Sequence, residues 1–475
     1  MCTTECYGTP DARLRPRAKF GLMQSINPTT GEVIADYPEH SWEEVDSRLV
    51  AAHRAFSSWR RVPFTERGEL MRAVAERLES RKEELARLMA LEMGKPIAAG
   101  RAEVEKCGWV CRYYADEAAA MLADREMPTD RTRSYLHHEP LGVVLAVMPW
   151  NFPLWQVFRF AAPGLMAGNA GVLKHSSNVS GSALAIEEIF QQAGAPDGLF
   201  STLLIRSSLV DRVIEHPAVA AATLTGSDPA GRAVAAKAGA MLKKTVLELG
   251  GSDPYVILAD ADLPAAAATC ATSRLINGGQ SCIAAKRFIV LADVAEEFTS
   301  LFTEQMAAVQ MGDPMLEATK LGPQARHDLR DELHRQVQRT IESGAQLILG
   351  GEVPEGPGAF YPPTVLTGVE KGMAAYHEEL FGPAAAVITV ADEDQALEVA
   401  NDSPFGLGAA IFSRDVERAE RLAATRIEAG CCFVNAFVAS DPRLPFGGIK
   451  SSGYGRELSD LGIREFVNQK TVVVA

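Results

Sequence analysis

Residues 277–287 read NGGQSCIAAKR and place one cysteine, Cys282, in a short loop that carries two glycines. A helical pattern rich in Ala and Thr precedes the loop at residues 262–276, and an apolar strand pattern follows it at residues 288–291. The glycines let the backbone bend tightly, so a ligand can approach the thiol. The alternative is that Cys282 is a small buried hydrophobic residue, as many free cysteines are.

A carboxylate motif lies upstream of this loop. Residues 247–251 read LELGG and end an apolar strand pattern that opens at Thr245, so Glu248 stands at a strand end before two glycines. A carboxylate in that position can serve as a general base. The two motifs together predict acyl chemistry through sulfur, in which a thiolate attacks a carbonyl and an activated water releases the acyl group.

Composition narrows the class of protein. A chain of 475 residues with 47% hydrophobic and 23% charged residues is long enough for two or three domains and is typical of globular enzymes. The net charge of −14, without a basic block, argues against binding to nucleic acid or to a membrane surface. The 8 cysteines form neither a disulfide framework nor a zinc pattern, so we expect no metal site and a reducing compartment, most simply the cytoplasm.

Hydrophobic periodicity predicts an α/β fold. A first helical pattern begins at a Ser41 capping box, and a second runs from about Thr65 to Gly94. A third helical pattern covers residues 99–122. Short apolar runs then alternate with helical patterns, which predicts doubly wound parallel sheets. The runs are residues 143–148, 171–173, 201–204, 221–225 and 245–249, and then 255–258, 288–291, 346–349 and 385–390.

Two further apolar segments need a separate interpretation. Residues 140–158 carry no charge, but prolines interrupt them, which favours a buried strand running into a loop over a membrane span. Residues 472–474 read VVV and form a lone strand pattern near the C-terminus, which is expected to pair with another strand.

The chain contains no G-x-G-x-x-G fingerprint of dinucleotide-binding proteins. The nearest candidate is TGSDPAG at residues 225–231, where a strand pattern, Gly226, Ser227 and a helix start follow one another. Free N–H groups at the helix start could hold a phosphate. A plain strand–helix turn explains the same residues, and the pattern alone leaves both readings open.

Four motifs in order resemble the aldehyde dehydrogenase superfamily, with the nearest likeness to bacterial succinate-semialdehyde dehydrogenases. The motifs are PWNFP at residues 149–153, ELGG at 248–251, GQSC at 279–282 and ELFGP at 379–383. The resemblance runs from about Ile26 to the C-terminus. It implies an aldehyde dehydrogenase-like α/β fold with two doubly wound parallel-sheet domains, one Rossmann-like for the cofactor and one catalytic, plus a β oligomerisation element.

The resemblance also implies a domain division and a homodimer or homotetramer. The division is residues 21–122 and 142–249 for the cofactor domain, 250–435 for the catalytic domain, 123–141 and 465–475 for oligomerisation strands that pair with another subunit, and 436–464 for a return segment on the cofactor domain. Residues 1–20 are polar and contain prolines, which predicts a loose N-terminal extension.

Carried over to this sequence, the family's catalytic residues are Cys282 as nucleophile, Glu248 as base and Asn151 as oxyanion donor beside the Cys282 backbone N–H. The site is expected to favour the thiolate, with Glu248 as the proton acceptor. Relatives that acylate coenzyme A or phosphate need no such base, so Glu248 favours hydrolysis to a free carboxylate. Taken alone, Asn151 also fits a plain turn.

The family's cofactor residues also carry over. Lys174 is expected to contact the adenosine ribose and Glu379 the nicotinamide ribose, although outside the resemblance Glu379 would be read as a solvated surface charge. NAD-preferring relatives often have a glutamate where this chain has Ser177, and a hydroxyl can donate to a 2′-phosphate that a glutamate would repel. NADP is therefore predicted, and NAD remains possible. The expected cofactor residues are Trp150, Lys174, Ser177, Gly226, Ser227, Leu249, Glu379 and Phe381.

Arg159 closes the apolar run at residues 152–159 and could bind a distal carboxylate with two hydrogen bonds. An ion pair between helices is the alternative. Succinate-semialdehyde dehydrogenases carry an arginine at this spacing, and SDPRLPFGG at residues 440–448 resembles the same subgroup. Some members have a second arginine where this chain has Ile276, so substrate binding is expected to depend on Arg159 with Ser440 and Arg443.

Three functions are weighed. The first is NADP-preferring oxidation of succinate semialdehyde to succinate through a cysteine thiohemiacetal and a thioester. The second is a broad NAD-dependent aldehyde dehydrogenase in which Arg159 is structural. The third is a cofactor-free cysteine hydrolase or a catalytically silent structural protein, which is disfavoured because no histidine motif accompanies Cys282.

Overall fold

The computed structural model describes residues 21–475, so the predicted N-terminal extension, residues 1–20, lies outside the described residues. The strands are β1 (Leu22–Ile26), β2 (Val33–Pro38), β3 (Arg125–Glu126), β4 (Arg133–Pro140), β5 (Val143–Met148), β6 (Ala170–His175), β7 (Phe200–Thr202), β8 (Val219–Thr225), β9 (Lys244–Glu248), β10 (Pro254–Ile257), β11 (Arg287–Leu291), β12 (Gln346–Leu349), β13 (Thr364–Thr367), β14 (Ala384–Val390), β15 (Gly408–Phe412), β16 (Cys431–Val434), β17 (Gly453–Tyr454) and β18 (Val467–Val474). The helices are α1 (Trp42–Trp59), α2 (Phe64–Ser80), α3 (Lys82–Met93), α4 (Ile97–Met121), α5 (Trp155–Met166), α6 (Ser180–Gln192), α7 (Val210–Glu215), α8 (Asp228–Ala240), α9 (Leu263–Leu275), α10 (Ala292–Ala307), α11 (His327–Glu342), α12 (Ala374–His377), α13 (Glu393–Asn401), α14 (Val416–Thr425) and α15 (Ser459–Ile463).

The N-terminal helices follow the predicted pattern with one difference. Helix α1 begins at the Ser41 capping box, where Ser41 Oγ accepts from the Glu44 N–H and the Ser41 N–H donates to the Glu44 carboxylate. The single helix expected from Thr65 to Gly94 is wrong: the chain breaks at Arg81 into α2 and α3. The apolar stripe continues in phase across Arg81, so periodicity alone could not reveal the break.

The first sheet has the strand order β17-β9-β8-β5-β6-β7. Strands β5 to β9 are parallel, as predicted, and are joined by helices. Strand β17 is antiparallel to β9, so a short segment from the C-terminal part of the chain completes one edge. An antiparallel edge strand on an otherwise parallel sheet is common in α/β proteins.

The second sheet has the order β12-β13-β14-β11-β10-β15-β16 and is parallel except for the edge strand β12, which is antiparallel to β13. Buried apolar side chains cover both faces of this sheet and form two separate clusters. This is the burial expected for strands that lie between helices. The prediction of an α/β fold with two parallel sheets is therefore confirmed, with the two antiparallel edges as a correction.

The C-terminal strand pairs within its own chain. Strand β18 runs antiparallel to β4, and β3 completes a small sheet of order β18-β4-β3. Within the chain its partner is β4, in register from Val467 opposite Pro140 to Val474 opposite Arg133. The other edge of β18 is unpaired among the described residues, so the expected pairing of this tail with another subunit stays a prediction. The domain division itself stays a prediction.

The carboxyl ends of the parallel strands in the first sheet lie along one edge. Strand β5 ends before Trp150, β6 ends beside Lys174, β8 ends at Thr225 and β9 ends at Glu248. Ligands of open α/β sheets bind beyond this kind of edge. The connection from α9 to β11 carries Cys282.

Residues 140–158 form the end of β4, strand β5, a turn and the first residues of α5. Within residues 21–475, none of the helices combines the length and apolar character needed to span a bilayer.

The loop before Cys282 adopts an unusual backbone. Asn277, Gly278 and Gly279 have φ values of +54°, +67° and +75°, a left-handed region that side chains other than Asn rarely adopt. A Cβ on Gly279 would lie 2.2 Å from the carbonyl group of Gly382, which is backbone and cannot rotate away. The absence of a side chain at Gly279 therefore also lets this loop contact Gly382, which lies just before strand β14 of the second sheet.

Gly279→Ala is expected to lower the free energy of unfolding by at least about 1–3 kcal/mol, the cost of a strained backbone residue, and to reduce activity. A urea titration measures the change. Gly239→Ala in α8 is the matched control, because nothing lies within 4 Å of its Cβ, and it should stabilise by roughly 0.5–1 kcal/mol. Equal behaviour of the two variants would contradict the described loop.

Candidate active site

Cys282 lies between two cavities. The sheet-edge cavity, about 270 Å³, lies beyond β5, β8 and β9, and the α4–α5 cavity, about 280 Å³, lies beside those helices. Cys282 and Gln156 line both cavities, so the thiol can be reached from two sides. The reading of Cys282 as an enclosed core residue does not fit this position.

The sheet-edge cavity gathers most of the predicted cofactor residues, which are Trp150, Gly226, Ser227, Leu249, Glu379 and Phe381. Trp150 and Phe381 pack edge to face, with 5.7 Å between ring centroids. The other two predicted residues, Lys174 and Ser177, do not line this cavity. They lie at the end of β6 and just after it, with Lys174 half-buried and Ser177 exposed.

The start of α8 provides a place for a phosphate. Gly226 and Ser227 lead directly into this helix, and the Ser227 side chain makes no capping hydrogen bond. The first N–H groups of a helix have no partner within the helix and carry partial positive charge. A dinucleotide phosphate fits this position, so the residues present are compatible with a nicotinamide dinucleotide in the sheet-edge cavity.

Asn151 and Cys282, which both line the sheet-edge cavity, each have an N–H group without an acceptor among the described residues. The buried Asn151 amide donates one hydrogen bond to the Gln280 carbonyl, with Nδ2 and O 3.0 Å apart, which leaves its second N–H uncommitted. The Cys282 backbone N–H has no acceptor among residues 21–475. Asn277 donates to the Asn151 carbonyl at 2.7 Å and so ties the two loops together.

Glu248 is a buried carboxylate, and neither of its oxygens accepts a hydrogen bond from the described residues. Burial raises the pKa of Glu248 well above its usual value, and nearby Glu457 raises it further, while Arg159 and Arg456 oppose the shift. It does not line either cavity; a Cβ on Gly447 would lie 2.7 Å from its Oε1. A carboxylate with a raised pKa near a thiol has the properties of a proton acceptor.

The expectation that the site favours the Cys282 thiolate is wrong for the protein without ligands. Burial raises the pKa of Cys282 to about 12, more than the positive charges of Arg159 and Lys286 lower it. The resting form is therefore the thiol. The accessibility of the loop can be inferred from the sequence, whereas the loss of solvent around the Cys282 sulfur cannot.

Lys286 is a site residue that sequence reasoning missed. It is fully buried, and its ammonium donates to the carbonyl oxygens of Ser281 at 2.8 Å and Cys282 at 2.7 Å. It also lies 3.2 Å from Glu379 Oε1, an oxygen that accepts from the Gly251 N–H at 3.0 Å. Glu379 is therefore not the solvated surface charge that its sequence context suggested.

Arg159 lines the α4–α5 cavity but is already paired. Its guanidinium forms a buried ion pair with Glu457, lies over the Phe446 ring at 4.7 Å and contacts Thr225 Oγ1 at 3.4 Å. Arg159 therefore has an ion-pair partner, although Glu457 lies outside the helices, and binding of a distal carboxylate by Arg159 stays a prediction. Glu457 itself carried no recognisable sequence signal.

Ser440, which was predicted to bind the substrate, lies in the wall of the α4–α5 cavity. Lys106, which no sequence pattern indicated, donates to Ser440 Oγ at 2.8 Å. Arg443 is not brought to the cavity. Its exposed side chain pairs with Asp441, with Nη2 and Oδ2 2.6 Å apart, because the backbone turn between them brings the two side chains together. The expected contact of Arg443 with the substrate has no support in this arrangement.

Ile276, at the position where some relatives carry a second arginine, lines the α4–α5 cavity with an apolar side chain. Phe152, Trp155 and Phe446 line it too. Across residues 21–475, no group of three or more His, Cys, Asp or Glu side chains is arranged to hold a metal ion.

Comparison with known proteins agrees with this geometry. The aldehyde dehydrogenase family model matches residues 16–472. The chain is 51% identical over 453 residues to a probable succinate-semialdehyde dehydrogenase (NADP(+)) from Synechocystis sp., covering 95% of this chain and all of that protein.

Two solved structures are similar throughout. Succinic semialdehyde dehydrogenase from Streptococcus pyogenes, in complex with NADP+ as the cofactor, superposes with a TM-score of 0.93 at 40% identity over 95% of this chain and 99% of that one. An NAD-dependent aldehyde dehydrogenase from Sinorhizobium meliloti gives 0.93 at 36% identity over 96% and 91%.

Lys286→Met is expected to slow alkylation of Cys282 by iodoacetamide about tenfold at pH 8, because losing the ammonium removes a positive charge that lowers the thiol pKa. Mass spectrometry of the Cys282 peptide measures the rate. Lys371→Met, which removes an exposed lysine paired with Asp402, should leave the rate unchanged. An unchanged rate in Lys286→Met would show that the ammonium has no influence on the sulfur.

Proposed function

The chain belongs to the aldehyde dehydrogenase family, and we propose that it oxidises succinate semialdehyde to succinate with NADP as the hydride acceptor. The observation that carries the proposal is the position of Cys282 between two cavities, one with the features of a dinucleotide site and one with cationic side chains. The named relatives support the substrate and the cofactor.

The side chains at the sheet edge support NADP. Ser177 is exposed, and Lys174 ends the neighbouring strand, so a 2′-phosphate there would meet a hydroxyl and an ammonium instead of a carboxylate. We assign Trp150, Gly226, Ser227 and Leu249 to the walls of the cofactor site, with Phe381 beside the nicotinamide. Glu379, fixed by Lys286 and the Gly251 N–H, would accept from the nicotinamide ribose.

The first chemical step is attack of the Cys282 sulfur on the aldehyde carbon. Because burial holds the thiol protonated, a base must take the proton, and Glu248 with its raised pKa is the group suited to do so. The free N–H of Asn151 and the Cys282 N–H would stabilise the oxyanion of the thiohemiacetal, and losing such a donor typically costs on the order of a hundredfold or more. When bound, NADP accepts the hydride that leaves the thiohemiacetal carbon.

Hydrolysis of the resulting cysteine thioester needs an activated water. After Glu248 has released the Cys282 proton to solvent, it takes a proton from that water, the hydroxide adds to the thioester carbon, and the carbon–sulfur bond breaks to release the acid and the Cys282 thiolate, which takes the proton back from Glu248. The raised pKa of Glu248 makes it a stronger base than an ordinary surface glutamate. Arg159, which lowers the pKa of both Cys282 and Glu248, would stabilise the charges that appear in these steps.

The α4–α5 cavity supports an aldehyde with a distal carboxylate. Its wall carries Arg159 and Ser440, and the Arg159 contacts with Glu457 and Thr225 use only part of the five N–H donors of a guanidinium. The second candidate function is a broad NAD-dependent aldehyde dehydrogenase. The observation in its favour is the buried Arg159–Glu457 pair, which gives the arginine a structural partner.

We also propose a homo-oligomer in a reducing compartment such as the cytoplasm. Strand β18 is an edge strand that exposes Val473 and Val474, and apolar sheet edges are usually covered by another chain. The six cysteines within residues 21–475 are all free thiols, which supports the reducing compartment.

The proposal is tested by measuring kcat/KM from reduced-nicotinamide absorbance with each cofactor and with two aldehydes, succinate semialdehyde and its uncharged amide, 4-oxobutanamide. Succinate semialdehyde with NADP should give the highest value. In Ser177→Glu the KM for NADP should rise at least about tenfold, since like charges at a binding site repel by several kcal/mol, while the KM for NAD stays unchanged. Higher activity with NAD and no preference between the aldehydes would favour the second candidate.

Glu248→Gln is expected to release at most one equivalent of reduced cofactor per site and then stall, because any thioester that forms is not hydrolysed; the burst should also be slower than in the unmodified protein, because Glu248 takes the Cys282 proton in the first step. Stopped-flow absorbance measures the burst. In the unmodified protein the acid limb of kcat should lie above about pH 4.3, the ordinary pKa of glutamate, because burial raises the pKa of Glu248.

Glu428→Gln is the matched control for this variant, since Glu428 is an exposed glutamate paired with Lys450. It should turn over at the normal rate. Steady turnover of Glu248→Gln at that same rate would remove Glu248 from the hydrolytic step.

A further inference from the structure

The charged side chains around the α4–α5 cavity differ in whether they have an oppositely charged partner. Lys95 is paired with Glu103, and Arg159 is paired with Glu457; all four side chains are buried. Each pair is formally neutral, and breaking a buried pair is costly because one charge is left uncompensated. The Glu103 carboxylate also accepts from the first backbone N–H groups of α5, which commits it further.

Lys106 is the cation in this wall without a carboxylate partner among the described residues. Its ammonium donates to Ser440 Oγ at 2.8 Å and lies 4.3 Å from the centroid of the Trp155 ring. An ammonium can donate three hydrogen bonds, so the contact with Ser440 leaves donors available on the cavity side. A largely desolvated charge without a counter-ion is unfavourable, and a bound anion would relieve that cost.

We propose that Lys106 is the specificity-determining cation of this cavity and pairs with the distal carboxylate of the aldehyde substrate. Because Ser440 Oγ accepts from the ammonium, its own O–H is free to donate to the same carboxylate. The inference rests on the proposed function, since it assigns the partner of that substrate's charge.

The charge balance favours a ligand with a single carboxylate. With the Lys95–Glu103 and Arg159–Glu457 pairs intact, the cavity wall carries one net positive charge, which belongs to Lys106. A carboxylate bound at Arg159 alone would share the guanidinium with Glu457 and place two anions on one cation. A carboxylate bound at Lys106 neutralises the wall and can still accept from Arg159.

The arrangement implies a characteristic pH dependence. Burial and the neighbouring Arg159 lower the pKa of Lys106 to about 8, against the opposing effects of Cys107, Asp441 and Glu103. A carboxylate binds the protonated ammonium, so the preference for a charged aldehyde is present below the pKa and is lost as pH rises through about 8. Cys282 and Glu248 affect both kinds of aldehyde alike, so the ratio of the two kcat/KM values isolates Lys106.

The experiment measures kcat/KM for succinate semialdehyde and for 4-oxobutanamide from pH 6.5 to 9.5 in the full-length protein with saturating NADP. Lys106→Met should lower the ratio of the two values about ten- to hundredfold, the usual cost of removing a charged hydrogen-bond partner, mainly through KM for the charged aldehyde. Lys106→Arg should keep the preference but remove its decline near pH 8, because arginine stays protonated. Lys82→Met, a lysine on α3 paired with Glu105, is the matched control and should behave as the unmodified protein.

The outcomes separate the two proposals. If the unmodified protein shows no preference for the charged aldehyde, the proposed substrate is wrong. If it shows the preference and Lys106→Met retains it with the same pH profile, the role of Lys106 is wrong. Activity of Lys106→Met on 4-oxobutanamide reports the folded fraction, and for a variant that does not fold, Lys106→Arg decides through its pH profile: a decline that persists near pH 8 overturns the assignment.

Discussion

A single buried ammonium group holds the reactive loop in place. Lys286 binds the carbonyl oxygens of Ser281 and Cys282 and also approaches Glu379, so it joins the nucleophile loop to the loop that closes the sheet-edge cavity. The left-handed backbone at Gly279 brings the same loop against Gly382. Without this attachment the sulfur would lose contacts that fix its position between the two cavities, and its position relative to Asn151 and Glu248 would change. Precise placement of reacting groups is a large part of enzymatic rate enhancement.

The electrostatics of the site follow from exclusion of water. Burial raises the pKa of Cys282 and of Glu248 and lowers that of Lys286, so each group is shifted towards its uncharged form. The thiol is then unreactive until a base removes its proton, and Glu248, once ionised, is a stronger base than a solvated glutamate for the same reason. One physical effect thus keeps Cys282 protonated in the resting protein and strengthens Glu248 for the proton transfers that the proposed function assigns to it.

The proposed selection of a charged substrate depends on charges that are largely balanced inside the protein. The sequence pattern indicated Arg159 as the residue that binds the substrate carboxylate. Arg159 forms a buried ion pair with Glu457, and its charge lowers the pKa values of Cys282 and Glu248. Lys106 has no carboxylate partner among the described residues, and its ammonium donates to Ser440 Oγ. A neutral pair can orient a ligand, whereas an uncompensated charge discriminates between anionic and neutral ligands, because only the anion removes the cost of burying it.

The sequence by itself determined the two parallel sheets, and it predicted Cys282, Glu248 and Asn151 as reactive residues and most of the residues that line the sheet-edge cavity, because each lies in a local pattern of strand, glycine and polar residue. Tertiary structure decided the rest. Lys106 and Lys286 lie in patterns typical of any helix or strand start, Glu457 pairs with an arginine far away in the chain, and Arg443 turns back to Asp441 instead of reaching the cavity. The break at Arg81 and the protonated state of Cys282 were also invisible in the sequence. Local patterns report periodicity and turn chemistry, whereas ion pairs and pKa values depend on which distant side chains pack together and how much water they exclude.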